Sequence, residues 1–598
     1  MLSKDVTVPE VSPPAVPEDR PEGSGPRAGL PPWTVPGKPQ AWKGDLSDPR
    51  GAEVGFDDDS EMAGTWQQWA NEINSNNTRN LLTGYISADW LLESHPIYAA
   101  NAEAKTIHLT QATAYGWGGP KHANKHFKVI GLLCELDQPG EWHFDTLSNK
   151  LYIYPPEPIA SDTKIGLPMA TGFLKLNNTS YVSVIGLNVY NVGSNSVYEI
   201  NGGHHNLIAA ATIRNSTACG LKISGKYNGA KGCDLIDLDV HARLDGGVRS
   251  PKEITAGHNF VENCHIYQDG FKHQRVNVYV NGVGNVFRNN LVHNSLGQPI
   301  DITGNDHLLE LNEVFNVGYD EGDGGAMYSG ADMAGYGNVY RHNFIHHLMH
   351  VPGKVVRAGI YLDDMQAGGT CIGNVFYKSE SKAIYMNGGA GHTILDNVFL
   401  EGDLGAYDTE SHAKKVYGWY KEIKADPHHD FQYTKENYIG RMERSVGKDA
   451  WKKSPWKEKY PLFNKVMSDE GEFGRCWPIY CRFEGNLYYG NTRENYTYLN
   501  FGPEVCKKTI LKSDGLVTPD DFVDYDNLDL RFKEGRTDLP KIPFEKIGLY
   551  LDQYRSTMPE KSHYRKTIKD YYNGIPSMPG TTKQIDTAKV VEKGPTMK

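Results

Sequence analysis

The chain has 598 residues, a formal net charge of -11, 63 Gly, 35 Tyr and 11 Trp. Its mean hydropathy of -0.54 and the lack of any apolar stretch of roughly 18 residues give no reason to expect a membrane partner. Lys and Arg are scattered among Asp and Glu, so no basic stripe could neutralise a phosphate backbone, and nucleic acid is not an expected partner. The many aromatic and polar residues suit carbohydrate, whose rings combine an apolar face with hydroxyls.

Composition and turn signals divide the chain into six segments. The first is rich in Pro and Gly and cannot bury enough apolar surface to fold alone, whereas the second alternates short strands with turns. The fourth segment is charged and helix-compatible, and it interrupts a sequence repeat that is present in the third and fifth segments. The predicted segments are a flexible arm (1–61), a small β domain (62–170), a repeat core (171–403), an insertion (404–475), a final coil with a packed tail (476–555) and an extension (556–598).

A strand centred on asparagine recurs through the repeat core every 22 to 31 residues, and a second strand leads it by 12 to 16 residues. Such turns are too short for crossover helices and are typical of a solenoid. The sequence therefore predicts an all-β right-handed parallel β-helix, a pectate-lyase-like solenoid, with a small β domain and a partly helical insertion. Stacked asparagines would pair backbone groups at one bend. They are Asn263, Asn290, Asn312, Asn343, Asn374 and Asn397.

Alternation along the leading strands separates a core face from a surface face. The core phase contains Ile300 and Ile360, and the opposite phase contains Asp301, Tyr361 and Asn387. This polar and aromatic phase is predicted to form the floor for an extended sugar chain, and the alternative is an ordinary solvated sheet face. The alignment of AMYSG (326–330) on its neighbours points its tyrosine inward.

Two acidic motifs on adjacent coils carry the candidate chemistry. YDEGDGG (319–325) supplies one carboxyl cluster, and RAGIYLDDM (357–365) supplies the next. Two carboxyl groups could act as general acid and as nucleophile or base on a glycosidic bond. The alternative for the first cluster, which is Asp320, Glu321 and Asp323, is calcium binding or turn capping.

The strict register creates a difficulty for this pair. It aligns Asp323 with Arg357 and Asp363 with Ser329, which leaves the acids six residues apart along the strand. The glycine pair 324–325 permits a bend or bulge that could bring them together.

A histidine follows an acid at the end of one leading strand. His307, next to Asp306, is predicted to bind or protonate a sugar. The chain has no HExxH, GxSxG or phosphate-binding loop, so no metal-ligand motif is found and no cofactor is required, with calcium left as an option.

The motifs TGNDHLLELNEVFNV (303–317), DGGAMYSGADM (323–333) and AGIYLDDMQAGGTCIGNVFY (358–377) resemble the β-helix enzymes of glycoside hydrolase family 141, and the resemblance covers about residues 66 to 555. It implies hydrolysis of α-fucosyl or xylan linkages, with catalytic carboxylates at Asp323 and at Asp364 or its neighbour Asp363. The chain departs from the family pattern at 331 and 333 and at 297–298, which affects the expected substrate more than the reaction. The resemblance also implies a secreted or periplasmic protein, although residues 1–45 show no secretory signal.

The resulting hypothesis is a polysaccharide-degrading glycoside hydrolase that acts on a fucose- or xylose-containing glycan, with sulfated or acidic ones included. The catalytic candidates are Asp323, Asp364 and Asp363. The predicted sugar-binding residues are Asp306, His307, Tyr328, Arg357, Tyr361 and Asn387. Two alternatives stay open: a polysaccharide lyase that uses Arg357 or Lys272 with calcium, and a non-catalytic glycan-binding solenoid. The oligomeric state is not predicted.

Overall fold

The computed structural model describes residues 53–55, 66–75, 80–88, 90–110, 127–269, 275–318, 322–348, 356–379, 381–409, 435–470, 474–475, 477–491, 497–500, 503–512 and 514–559. Lys272, Asp320 and Glu321 lie outside these residues. The chain divides into two compact units, residues 1–166 with 565–592 and residues 167–564 with 593–598. Within the described part of the chain, no helix has the length and apolar character needed to cross a membrane.

The smaller unit contains a five-stranded antiparallel sheet in the order β1-β4-β3-β2-β5 and a hairpin. Its strands are β1 (Glu53–Gly55), β2 (Leu81–Ala88), β3 (Leu91–Asn101), β4 (Thr106–Leu109), β5 (Phe127–Ile130), β6 (Trp142–Asp145) and β7 (Lys150–Ile153). Helix α1 (Trp66–Ser75) buries Trp66, Trp69, Ala70 and Ile73. Because these positions follow the i, i+3, i+4, i+7 pattern, one apolar face of the helix packs with the sheet residues in a common core.

The larger unit winds three parallel strands per turn. The leading strands and the third strands belong to one 20-stranded sheet, and the middle strands form an 11-stranded sheet. Long strands β13 and β15 span both a third and a leading position. The leading strands are β8 (Ala170–Asn177), β11 (Val192–Asn201), β13 (Thr212–Ile223), β15 (Asp234–Leu244), β20 (Val278–Val283), β23 (Ile300–Asn305), β26 (Asp323–Gly330), β29 (Val356–Asp363), β32 (Lys382–Asn387), β35 (Leu404–Thr409) and β38 (Thr497–Asn500).

The middle strands are three residues long in almost every turn. They are β9 (Ser183–Ile185), β12 (Leu207–Ala209), β14 (Gly229–Lys231), β18 (Phe260–Glu262), β21 (Val286–Arg288), β24 (Leu308–Glu310), β27 (Val339–Arg341), β30 (Thr370–Ile372), β33 (Thr393–Leu395), β36 (Arg482–Glu484) and β39 (Ile510–Leu511). The third strands are β10 (Val189–Tyr190), β19 (His265–Tyr267), β22 (Leu291–Ser295), β25 (Glu313–Val317), β28 (Phe344–His346), β31 (Val375–Tyr377), β34 (Val398–Leu400), β37 (Leu487–Tyr489) and β40 (Gly515–Leu516). This confirms the predicted parallel β-helix.

Asparagines stack at the bend between the middle and third strands, as predicted. The amide of Asn312 donates to Asn343 Oδ1 (2.9 Å) and to Phe287 O (2.9 Å), and every rung is fully buried. The prediction that Asn263 belongs to this ladder is wrong. Cys264 occupies the rung position and donates its backbone N–H to Asn290 Oδ1 (2.9 Å). The side chain of Asn263 instead donates to Tyr550 O (2.8 Å) in the C-terminal tail.

The insertion is partly helical, with α2 (Lys435–Val446), α3 (Trp456–Lys459) and α4 (Pro461–Ser468). Its buried face forms an apolar cluster with the bends that follow β26, β29 and β32. A short helix α5 (Pro503–Cys506), the paired strands β16 (Val248–Arg249) and β17 (Ile254–Thr255), and the hairpin β41 (Phe522–Asp524) with β42 (Asp529–Phe532) complete the described elements longer than a 3₁₀ turn. The C-terminal segment covers the outer face of the later third strands.

Candidate functional site

One outward column of side chains crosses the leading strands. Tyr279 pairs with Asp301, Asp301 with Tyr328, Tyr328 with Tyr361, and Tyr361 with Tyr385. The predicted inward direction of Tyr328 is therefore wrong. Both residues before it, Ala326 and Met327, are buried and apolar, and the register pairs Met327 with Ile300 in the core, so the alignment was shifted by one residue.

The same shift corrects the alignment of the two acidic motifs. Asp323 pairs with Val356 rather than with Arg357, and Asp363 pairs with Gly330 rather than with Ser329. The ladder between β26 and β29 runs from Asp323 to Gly330 without a register shift, so the two glycines make no bulge between these strands.

Asp363 is held by donors from three successive turns. Tyr328 donates its hydroxyl to Asp363 Oδ2 (3.1 Å), and the amide of Asn387 donates to Oδ1 (2.9 Å). The backbone N–H of Asp364 also donates to Oδ1 (2.7 Å). The residue is only 8% exposed, so these bonds fix the carboxylate in a nearly dry setting. Asn387, predicted to bind sugar, has its amide occupied by this carboxylate.

The tyrosines of the column do not form an open floor. Tyr361 is 1% exposed, and its ring stacks on that of Tyr385 with centroids 4.7 Å apart and an interplanar angle of 17°. Tyr328 is half-buried and turned by 85° relative to Tyr361, which brings its hydroxyl to Asp363. Tyr361, predicted to bind sugar, therefore has its ring covered by neighbouring side chains.

Burial raises the pKa of Tyr328 and of Tyr361 well above the usual range, and the charges of Asp363 and Asp323 raise both pKa values further. Both phenols consequently stay protonated at neutral pH, and that of Tyr328 donates its hydrogen bond to Asp363. The two carboxylates that the sequence singled out thus act on the same pair of hydroxyls.

A small pocket lies near the start of strands β26 and β29 and encloses about 230 Å³, including solvent at its mouth. It is lined by Gln298, Val317, Gly318, Gly324, Gly325, Ala326, Leu348, Arg357 and Ala358. Arg357 is 6% exposed, and a Cβ at Gly318 would lie 2.6 Å from its Nη1, so glycine makes room for the guanidinium. The two glycines of the first acidic motif form one wall.

Gln298 is a site residue that sequence reasoning considered only as a departure from a family pattern. Its amide donates to Asp301, and its Oε1 accepts from the backbone N–H of Gly325 (3.4 Å). Gln298 lies in the short connection before β23. The sequence signal for a role of Gln298 in the site is its position shortly before Asp301, an acid of the outward phase.

Asp306 and His307 are not part of this arrangement. Asp306 Oδ2 accepts from Lys459 Nζ (2.6 Å) and from the Tyr460 hydroxyl (2.9 Å) of the insertion. His307 is fully buried. Its ring Nδ1 accepts from the backbone N–H of Asn285 (3.1 Å), and its backbone N–H donates to Asn338 Oδ1 (3.0 Å). Burial lowers the pKa of His307 to about 4. Asp306 thus binds the insertion and His307 is a rung of a second polar ladder, so the structure does not bring these two predicted sugar-binding residues to Asp363.

The two strands thus carry the positioned carboxylate of Asp363 at one end, the half-buried carboxylate of Asp323 and the buried guanidinium of Arg357 at the other, and two protonated phenols between them. Asp364, the other candidate, is half-buried at the edge of the bend. Among the described residues, no group of three or more His, Cys, Asp and Glu could hold a metal ion. Asp320 and Glu321, the predicted calcium candidates, lie outside those residues.

No protein-family model matches the chain, and no curated protein matches it. Similar solved structures include a glycoside hydrolase, with a TM-score of 0.39 and 11% identity, covering 63% of this chain and 76% of that one. A mannuronic acid specific polysaccharide family 6 lyase from human gut microbiota has a TM-score of 0.27 and 11% identity, with coverage of 70% and 92%. The tailspike protein gp49 from Pseudomonas phage LKA1 has a TM-score of 0.20 and 9% identity, with coverage of 63% and 62%. These likenesses assign neither activity nor substrate to this chain.

Proposed function

We propose that this protein is a polysaccharide-degrading glycoside hydrolase whose reaction centre surrounds Asp363. The observation that carries the proposal is the set of three hydrogen bonds that fix this carboxylate from three turns of the solenoid. A carboxylate held in one orientation in a nearly dry site is what an attack on an anomeric carbon, or the activation of a water, requires.

Asp323 is the proposed general acid. The ladder places it seven residues along β26 from the position opposite Asp363, so the proposal requires the two carboxyl groups to come within about 10 Å of each other in the complex with the glycan. It begins the strand that carries Tyr328, it lies next to the glycine wall of the pocket, and its charge acts on the same phenols as that of Asp363. In the proposed reaction the acid protonates the leaving-group oxygen as the glycosidic bond breaks. The carboxylate of Asp363 attacks the anomeric carbon or removes a proton from the attacking water. Asp364 is the alternative for the second role.

The proposed substrate is an extended glycan that contains fucose or xylose. Arg357 supports an acidic or sulfated glycan, since its guanidinium lines the pocket and matches a carboxylate or sulfate group. Because such polysaccharides occur outside cells, a secreted or periplasmic location is part of the proposal.

A polysaccharide lyase is the second candidate, and the buried guanidinium of Arg357, which lines the pocket, favours it. A guanidinium would neutralise the carboxylate of a uronic acid, so that a base can remove the proton at C5. A phenol would then protonate the departing O4, which leaves a double bond between C4 and C5.

The test is a panel of neutral, acidic and sulfated polysaccharides with product analysis. New reducing ends without ultraviolet absorbance support hydrolysis, and an ultraviolet-absorbing product with activity lost to a chelator supports the lyase. Asp363→Asn and Asp323→Asn are each expected to lower kcat by a factor of about 10³ or more, with Asp396→Asn in a distant bend as the matched control. Binding without products across the panel, or full activity in both variants, would overturn the proposal.

A further inference from the structure

The bend that follows Asp363 has an unusual backbone. Asp364 and Met365 are consecutive residues with φ values of 46° and 66°. This left-handed region is unfavourable for residues with a Cβ. Asp tolerates it because its short polar side chain can bond locally, but Met has no such compensation of its own.

The next turn of the solenoid has a bend with the same backbone conformation. Asn387 lies beside Asp363, and it is followed by Gly388 and Gly389 with φ values of 78° and 86°. Both turns thus use two consecutive left-handed residues, and in the later turn glycine supplies them without strain. Met365 takes the second of these positions in its own turn with a backbone strain that glycine would avoid.

The side chain of Met365 is buried in the apolar cluster that the bends share with the helical insertion. It is 1% exposed and belongs to the apolar cluster that contains Trp451, Trp456 and Phe463 of the insertion and Ala390 of the next bend. Met suits such a place because its flexible, unbranched chain fills irregular gaps. The burial of this side chain offsets the backbone strain.

The bend is tied back to Asp363 by its own backbone. The N–H of Gln366 donates to Asp363 O (2.8 Å), and the N–H of Met365 donates to Asn387 O (3.2 Å). Asp363 and Asn387 are the two residues joined through the carboxylate. A shift of Met365 therefore displaces both the carboxylate and one of its donors.

A polar connection joins the same region to the insertion. Ala367 donates its N–H to Asp332 O (3.1 Å), and Arg249 donates from Nη2 to both carboxylate oxygens of Asp332 (2.6 and 2.8 Å). Arg249 also donates from Nη1 to Ser445 Oγ (2.6 Å) on α2. Apolar and polar contacts thus attach the insertion to the bends on either side of the carboxylate.

We propose that the helical insertion is a positioning element for Asp363 and that Met365 is the positioning residue through which it acts. The claim that Met365 holds the bend stands on the geometry alone, and the claim that this serves catalysis rests on the proposed function. Met365 takes no part in bond breaking. It fixes the backbone from which the carboxylate projects.

Three substitutions in the full chain separate the anchor from the turn. Met365→Leu keeps an apolar anchor, Met365→Gly relieves the strain but removes the anchor, and Met365→Ala removes the anchor and keeps the strain. Amide hydrogen exchange at 365–367 is expected to rise about tenfold or more in the Gly and Ala variants and to stay near wild type in the Leu variant. Unchanged exchange in the Gly variant would overturn the structural claim.

Kinetics then test the catalytic claim. In the Gly and Ala variants kcat is expected to fall by about tenfold to a hundredfold with little change in KM, and Met365→Leu is expected to restore it. Phe463→Ala, a change inside the insertion, is expected to lower kcat in the same way. Wild-type kcat in the Gly variant despite faster exchange would overturn the catalytic claim. A wild-type protein that cleaves no glycan would instead refute the proposed function and leave the exchange result to decide the structural claim.

Discussion

Asp306 and Asp363 lie at the ends of leading strands two turns apart, yet their environments differ. Asp363 is the last residue of its strand, faces outward and is held by Tyr328 and Asn387. Asp306 lies one residue past its strand, in the bend, where Lys459 and Tyr460 of the insertion bind it. A displacement of a few residues along a solenoid turn therefore separates a carboxylate that can face a substrate from one that anchors a structural element.

The largest contrast is expected between two matched substitutions. Asp363→Asn should lower kcat by a factor of about 10³ or more, whereas Asp306→Asn should leave kcat within about twofold. Steady-state rates on the glycan identified by the panel measure both. Equal losses in the two variants would remove the distinction between the two bends.

The donors of Asp363 provide the next contrast. Tyr328→Phe removes one hydrogen bond to the carboxylate and should lower kcat by about tenfold to a hundredfold, because the carboxylate loses part of its orientation. Tyr198→Phe is the control, since its hydroxyl donates a single bond to Leu187 O (3.0 Å) far from the column. A loss in the control as large as in Tyr328→Phe would show that the effect is structural.

His307 extends the comparison to the ladder beneath Asp306. Burial lowers the pKa of His307 from 6.5 to about 4, so the unfolded chain binds a proton that the folded chain does not. The contribution of His307 to the free energy of unfolding is therefore fully present above about pH 6.5. It falls by roughly 2–3 kcal/mol as the pH drops towards 4. His307→Asn keeps a ladder acceptor and should flatten this part of the unfolding curve without changing kcat. Loss of glycan cleavage in this variant would restore a substrate role to the histidine.

The smallest effect is expected at the ion pair of Asp306. Lys459→Ala should lower the free energy of unfolding by about 0–1 kcal/mol, because the lysine is partly exposed and its attraction is screened. Chemical denaturation measures the change. A loss several times larger would mean that the insertion depends on this ion pair rather than on its apolar cluster.

The repeat architecture could be predicted because it depends on spacing and on one ladder residue. Asn290 and Asn312 occupy the positions expected from their recurrence, whereas Asn263 precedes the true rung by one residue, since a cysteine replaces asparagine there. His307 could have been assigned to the second ladder, because Asn285 and Asn338 also directly precede a middle strand.

The site could be predicted only in part. Tyr328 was misplaced because two adjacent apolar residues, Ala326 and Met327, fit either register equally well. The contact of Gln298 with Asp301 and the anchoring of Met365 depend on connections and on a distant helical segment. Periodicity within one turn contains no information about such contacts.

The central claim is that Asp363 is the carboxylate of the reaction, and chemical rescue of Asp363→Ala tests it most directly. The variant should be inactive on the responsive glycan, and added azide should restore cleavage by occupying the space of the carboxylate and attacking the anomeric carbon, with a glycosyl azide as the product. Recovery with azide in Asp363→Ala, with no effect of azide on the active Asp306→Ala variant, is the predicted result. Wild-type cleavage by Asp363→Ala without azide would contradict the account.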